Sequence, residues 1–376
     1  MRAAAFGGSA GRAGAGLATL LLPAAFPDRI VSGTMKKTVT FGELLLRLSP
    51  PGYERFLQSP EFVASFGGGE ANVAMSLAAF GLESHYVTRL PAHAIGEAAV
   101  RVLRSEGVRT DHIVRGGDRV GIYFAETGTS QRPSMVLYDR ARSAITELEP
   151  SSLDWNRILQ GAQWFHVTGI TPALGPMPQA CTRAALETAK RAGVTVSLDL
   201  NYRSKLWSAE EAQRVMRPLL EFVDILIANE DDMEQALGVP IPTTDLLGST
   251  TSVDRYRWIA ERVAREFRIQ MVAMTSRERS GGAEQTWSGL LYEHASTTLF
   301  RAPSYEITPV DPIGAGDSFA AGLIYAVMSG RSAERALAFA VAASALKQSI
   351  PGDYNRVSVA EVDRMAAGET GGRVQR

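Results

Sequence analysis

Cysteine is almost absent from this chain. Cys181 is the one thiol in 376 residues, which excludes an internal disulfide, and no Cys/His cluster offers a zinc site. Cys181 falls in an apolar-periodic helical stretch and reads as core. Lysine is scarce too, 5 against 34 arginines, a bias of composition rather than a sign of a phosphate-binding surface. No Gly-Lys dipeptide occurs, so P-loop chemistry is excluded. No Gly-x-Gly-x-x-Gly occurs either, which argues against a nicotinamide dehydrogenase. Net charge is −1, giving no electrostatic reason to expect nucleic acid or an anionic membrane as partner. The apolar run Leu17–Phe26 is too short to span a bilayer.

What is present describes an ordinary globular chain, 45% hydrophobic and 21% charged. Its length could hold two or three average domains, but large α/β folds often run as one. After residue 35, short β-rich runs alternate with amphipathic helices, the pattern of a mostly parallel sheet covered on both faces. The expected central strands are Thr38–Phe41, His85–Thr88, Gln163–Val167, Val194–Leu198, Ile225–Ala228 and Gln270–Thr275. Between them the pattern predicts helices over Glu70–Phe80, Ile95–Ser105, Pro178–Ala192, Ala209–Phe222, Val253–Phe267, Asp317–Met328 and Ala333–Gln348. Gly52–Phe66 and Asp111–Tyr138 break this rhythm with short alternating strands and Gly-rich turns. No repeat or low-complexity linker is apparent.

The most informative stretch is Asp311-Pro312-Ile313-Gly314-Ala315-Gly316-Asp317-Ser318-Phe319-Ala320-Ala321-Gly322-Leu323. Small residues strip side chains from a turn, and an acid follows at the mouth of an alanine-rich helix. Bare backbone N–H groups at a helix start form an anion site. A carboxylate there can take a hydroxyl proton while those N–H groups hold charge on a transferring phosphate. The glycines also suit a plain strand-to-helix connection, and the acid also suits a helix cap.

The whole run resembles the C-terminal signature of the ribokinase-like (PfkB) carbohydrate kinases. A second family signature lies far upstream, Gly67-Gly68-Gly69-Glu70-Ala71-Asn72-Val73-Ala74. The resemblance implies a three-layer α/β/α sandwich with a small β-sheet lid formed by the segments near 52–66 and 111–138, which is often also a dimer contact. It makes Asp317 the catalytic base and the backbone of Gly314, Ala315 and Gly316 the anion hole. The glycines near Gly68 would let the backbone approach a sugar.

Arg119–Tyr123, Tyr138–Ala144, Leu198–Arg203 and the tail Ser349–Asn355 are similar to the 2-keto-3-deoxygluconate kinases within that family. The implied reaction is ATP-dependent phosphorylation of 2-keto-3-deoxygluconate at its terminal hydroxyl. An acid sugar wants a guanidinium and phenolic hydroxyls. The resemblance supplies sugar contacts from Gly68, Glu70, Asn72, Tyr123, Tyr138, Arg140, Arg203, Asp317 and Asp353. Arg140 lies two residues beyond Tyr138, on one strand face. A kinase of another sugar, such as ribose or fructose, is the nearest alternative. A sensor that binds sugar without chemistry is a more distant one.

The nucleotide side is drawn from Asn201, Arg203, Asn229, Thr275, Arg277 and Gly282, together with the 314–316 turn. Asn201 and Arg203 follow the strand Val194–Leu198, where ligands gather in open α/β sheets. Arg203 can serve as substrate clamp, phosphate clamp or ion-pair partner of Asp199. Where the family has Asn-x-x-Glu to order Mg²⁺ and its waters, this chain has Asn229-Glu230-Asp231-Asp232. That makes Asp232 the candidate metal residue, acting through water; an acidic helix N-terminus is the other reading. Ala342, Ala343 and Ala345 either leave room for a flat base or pack helices tightly. The implied cofactors are ATP and Mg²⁺, with room for a monovalent cation such as K⁺. The implied partners are a sugar acid and ATP, in a homo-oligomer. Met35 opens a run that reads as a first strand, so residues 1–34 are expected to be a disordered extension and 35–376 the kinase domain. The cytoplasm is the expected compartment.

Overall fold

The structure is a computed structural model that describes residues 35–242, 252–281 and 284–369. The expectation for residues 1–34, and that for Gly282, therefore lie outside the described residues. Two β-sheets organise the rest. The larger has the order β13-β12-β11-β10-β9-β8-β1-β4-β5, with β14 attached to β12. Its parallel run comprises β11 (Met271–Gly281), β10 (Ile225–Ile227), β9 (Thr195–Asp199), β8 (Ala162–Thr168), β1 (Lys37–Phe41), β4 (Glu83–Leu90) and β5 (Ile113–Arg115). The six central strands expected from the sequence are all in this run.

Residue alternation explains why both faces are covered. Along β10, Ile225 and Ile227 enter one apolar cluster while Leu226 enters the other; along β11, Met271 and Ala273 oppose Val272 and Met274 in the same way. Strands buried on both sides need helices on both sides. One face carries Pro176–Arg191, Ala209–Leu219, Glu230–Leu237 and Ser252–Phe267. The other carries Ala315–Met328 and Ala333–Lys347, with Val73 and Leu77 of Gly69–Ala79. Cys181 is buried in the first cluster.

β12 (Glu284–Glu293), β13 (Thr298–Arg301) and β14 (Tyr305–Ile307) extend the sheet in antiparallel fashion. The sequence reading did not separate these strands from the parallel run. The smaller sheet has the order β3-β2-β6-β7, from β2 (Leu45–Ser49), β3 (Val63–Gly67), β6 (Gly121–Glu126) and β7 (Met135–Asp139). Within the segments singled out beforehand, residues 51–62 carry turns and no strand, whereas Ile113–Arg115 joins the edge of the large sheet. Among the described residues, no helix is long and apolar enough to cross a membrane.

Ala315–Met328 and Ala333–Lys347 pack so closely that a Cβ on Gly322 would lie 2.9 Å from the Cα of Ala340. Ala342 and Ala343 are fully buried in that same cluster, so the alanines close a helix–helix contact. Substituting Gly322→Val should destabilise the fold by about 1–3 kcal/mol through overpacking, seen as a lower urea midpoint. An unchanged midpoint would show that the helices have room to part.

Candidate active site

The carboxyl ends of adjacent parallel strands open on one cleft of about 400 Å³, where ligands collect in open α/β sheets. Asp199 ends β9; Ile227 ends β10, with Ala228 and Asn229 just beyond it; Met274 and Thr275 belong to β11, and all of them line the cleft. The small sheet contributes Leu45, Tyr123, Val136 and Tyr138, and the 312–317 turn closes the cleft opposite.

The turn is built from two constraints on Gly314. Its φ is +82°, and a Cβ there would meet the carbonyl oxygen of Asp353 at 1.6 Å. Only glycine meets both demands. Gly314 caps Ala315–Met328, placing Asp317 in the first turn. The N–H of Ala315 donates back to the Pro312 carbonyl at 3.3 Å, while no carbonyl of the described residues accepts from Gly316 or Asp317. The Ala315 N–H is therefore engaged within the protein, and those of Gly316 and Asp317 remain for a ligand.

Asp317 faces this opening. Asn72 Nδ2 donates to its Oδ2 at 2.7 Å, and Asn72 Oδ1 accepts from the Gly68 N–H at 3.2 Å. The two sequence signatures thus meet through one side chain. Burial lifts the Asp317 pKa from the usual carboxylate value to about 6; the Asn72 hydrogen bond pulls it down, Asp353 pushes it up, and Arg203 and Lys347 favour the ionised form.

Several expected sugar contacts already have protein partners. Glu70 is buried and accepts from the Thr168 N–H (2.8 Å), Thr168 Oγ1 (2.9 Å) and Thr171 Oγ1 (2.6 Å). Burial raises its pKa to about 7 against those hydrogen bonds. The Tyr123 hydroxyl donates to Asp353 Oδ2. Arg140 Nε donates to Glu43 Oε2 at 2.8 Å while its guanidinium lies 5.2 Å from the Tyr138 ring centre. A Cβ on Gly68 would strike the Glu43 carbonyl at 2.0 Å, so chain packing as well as ligand approach requires glycine there.

On the other side, Asn229 Oδ1 accepts from the Asp232 N–H at 2.7 Å and its Nδ2 donates to Asp232 Oδ2 at 2.9 Å. Burial raises the Asp232 pKa to about 6, opposed by the Arg203 charge. Asp199 is raised as well, by burial and by repulsion from Asp232 and Asp317. Arg203 forms no salt bridge with Asp199; its Nη1 donates to the Tyr202 carbonyl at 2.9 Å. Asn201 holds a left-handed φ of +40°, a conformation asparagine tolerates better than most residues. Arg277 lies on β11, exposed and off the cleft lining.

Glu43 and Arg47 were missed in the sequence. Arg47 is buried in β2, where Nη2 pairs with Asp311 at 2.8 Å and Nη1 with Asp353. Burial opposes its charge, but Asp353 and Asp311 outweigh that and hold its pKa above the usual range. A charge inside the run Leu45-Leu46-Arg47-Leu48 was the available signal.

The pfkB family carbohydrate kinase pattern matches residues 35–358, and the chain belongs to that family. It is 35% identical to the 2-dehydro-3-deoxygalactonokinase of Haloferax volcanii, over 89% of this chain and 98% of that protein. It is 30% identical to the 2-dehydro-3-deoxygluconokinase of Thermoproteus tenax, over 85% of this chain and 90% of that protein. The crystal structure of 2-dehydro-3-deoxygluconokinase from Thermotoga maritima superposes with a TM-score of 0.85 at 47% identity, covering 89% of this chain and 99% of that one.

Proposed function

We propose that the chain transfers the γ-phosphate of ATP to the terminal (C6) hydroxyl of 2-keto-3-deoxygluconate, the 2-dehydro sugar acid named in the Thermotoga relative. The observation that carries the chemistry is the Asp317 carboxylate, held by Asn72 beside two N–H groups at a helix start. In this reading Asp317 accepts the hydroxyl proton as the sugar oxygen bonds to phosphorus and the bond to ADP breaks. Gly316 and Asp317 N–H groups stabilise the charge on the transferring group, which is where phosphoryl transfer gains most.

Arg140 and Tyr138 are assigned to the sugar carboxylate and keto oxygen, with Glu43 orienting the guanidinium. Arg203, with Asn201, Asn229 and Thr275, is assigned to the nucleotide side. Among the described residues no cluster of three acidic, His or Cys side chains could hold a metal ion. The Asp232 carboxylate beside Asn229 fits a hydrated Mg²⁺, which binds phosphates and water with few protein ligands; Asp232 would hold its waters, and the ion would supply charge neutralisation on the phosphates. The face of β7 turned away from Val136 and Tyr138 exposes Met135 and Leu137, apolar surface that supports a homo-oligomer.

Asp317→Asn should lower kcat roughly 10²–10⁴-fold by removing the base while sugar affinity persists; near-normal turnover would refute the assignment. In the wild type, a base with a pKa of about 6 is ionised above that pH. Activity should therefore be present above pH 6 and fall about tenfold per unit below it, as an acid limb in kcat/KM. A limb near pH 4 would mean that burial does not act on the base. Coupled ADP release against a sugar panel should favour 2-keto-3-deoxygluconate over its galactonate epimer, ribose and fructose. Preference for a neutral sugar would overturn the acid-sugar reading.

A further inference from the structure

Lys347 ends the apolar helix Ala333–Lys347 with zero exposure. A buried ammonium is costly unless something compensates it, and a methionine of similar length would pack there without that cost. Its Nζ donates to the Asp311 carbonyl at 2.9 Å, at the residue that begins the 311–314 turn. The Asp311 carboxylate in turn accepts from the N–H groups of Ile313 and Gly352, each at 3.1 Å, and from Arg47. The turn is thus gripped from behind by two cations on separate elements, Lys347 on a helix and Arg47 on β2. The charged groups facing Lys347 are Asp311, Asp353 and Asp317, with Arg47 as the like charge. Nothing in the phosphoryl-transfer scheme above uses it.

We propose that Lys347 is a positioning residue for phosphoryl transfer: its ammonium holds the 311–314 turn through the Asp311 carbonyl and supplies there a built-in positive charge, so that no external monovalent cation is needed. The inference rests on the kinase reading with Asp317 as base. It explains why a charge is kept inside an alanine-rich helix. Rigid donors aimed at developing charge are worth more than mobile ones, because they need no reorganisation during the reaction. The same ammonium faces Asp317 alongside Arg203, against the carboxylates of Asp353 and Asp199, so its removal also weakens the ionised base.

The test is steady-state kinetics of full-length Lys347→Met and Lys347→Gln, with whichever sugar the wild type phosphorylates. The expected result is a kcat roughly 10- to 100-fold lower, a sugar KM changed by no more than about threefold, and an acid limb moved to higher pH in Lys347→Met. A merely structural role would lower the melting temperature and leave the acid limb in place. Folded variants with wild-type kcat, or with an unmoved limb, overturn the proposal. Should neither variant fold, wild-type activity is compared in potassium and tetramethylammonium chloride at equal ionic strength. Equal rates support the built-in cation, and a strict requirement for K⁺ overturns it. Failure of the base assignment is read separately: an active Asp317→Asn removes that reading, whereas a normal Lys347→Met beside an inactive Asp317→Asn removes only this one.

Discussion

Asp317 sits at the conflict that the rest of the structure resolves. A carboxylate placed at the start of an apolar helix and enclosed by protein is driven toward its neutral form. A neutral acid cannot accept a proton. The Asn72 hydrogen bond and the charges of Arg203 and Lys347 oppose that drive, leaving a pKa of about 6, a value that suits the base proposed above. Asn72 makes this bond across 245 residues of sequence. That contact requires the helix Gly69–Ala79 and the helix Ala315–Met328 to pack on the same face of the large sheet, as they do.

Charge balance in the cleft follows from the same constraint. Glu70, Asp199, Asp232, Asp317 and Asp353 all line it, yet the proposed substrates are a polyphosphate and a sugar acid. Two answers operate at different places. Glu70 is enclosed, accepts from hydroxyl and N–H donors of Thr168 and Thr171, and is lifted by burial to a pKa of about 7, while Asp353 is paired with Arg47 and accepts from Tyr123. Asp199 and Asp232 have no such guanidinium bonded to them, and both are pushed toward protonation by burial. A hydrated divalent ion arriving with a phosphate would join the Arg203 charge there and favour the ionised form of both carboxyls, which gives such an ion a physical reason to be there.

The sequence made the chemistry legible where small residues and an acid stand together. The 311–323 run placed Asp317 at a helix start, and the alternation of β-rich and helical runs placed six strands in a parallel sheet. Side-chain partners were not legible. The Tyr123 hydroxyl is satisfied by a residue 230 positions away, and no local pattern announces such a bond. Leu45–Ser49 was overlooked because one arginine interrupts its apolar pattern, although that arginine is buried by two carboxylates that only the fold supplies. The part of β11 beyond Thr275, and β12, were hidden for a different reason. Their outer halves are paired with each other at the sheet edge, so β11 beyond Thr275 lacks the continuous apolar run that marks a central strand.

Arg47 also determines how the small sheet relates to the transfer site. It stands on β2 but binds Asp311, which precedes the 312–317 turn, and Asp353, whose carbonyl packs against Gly314. Tyr123 of β6 reaches the same Asp353, and Arg140, just past β7, is tied to Glu43 at the end of the β1 loop. Moving the small sheet as a block would expose a buried arginine–carboxylate cluster, which is strongly unfavourable when one partner is lost. The small-sheet wall of the cleft and the 312–317 turn are therefore tied into one frame. In-line transfer needs such a frame, because the attacking oxygen must be held against the phosphorus within a narrow range of distance and angle. On the proposed function, selection of one sugar would fall to side chains that the protein already holds in place, Arg140 with Glu43 above all.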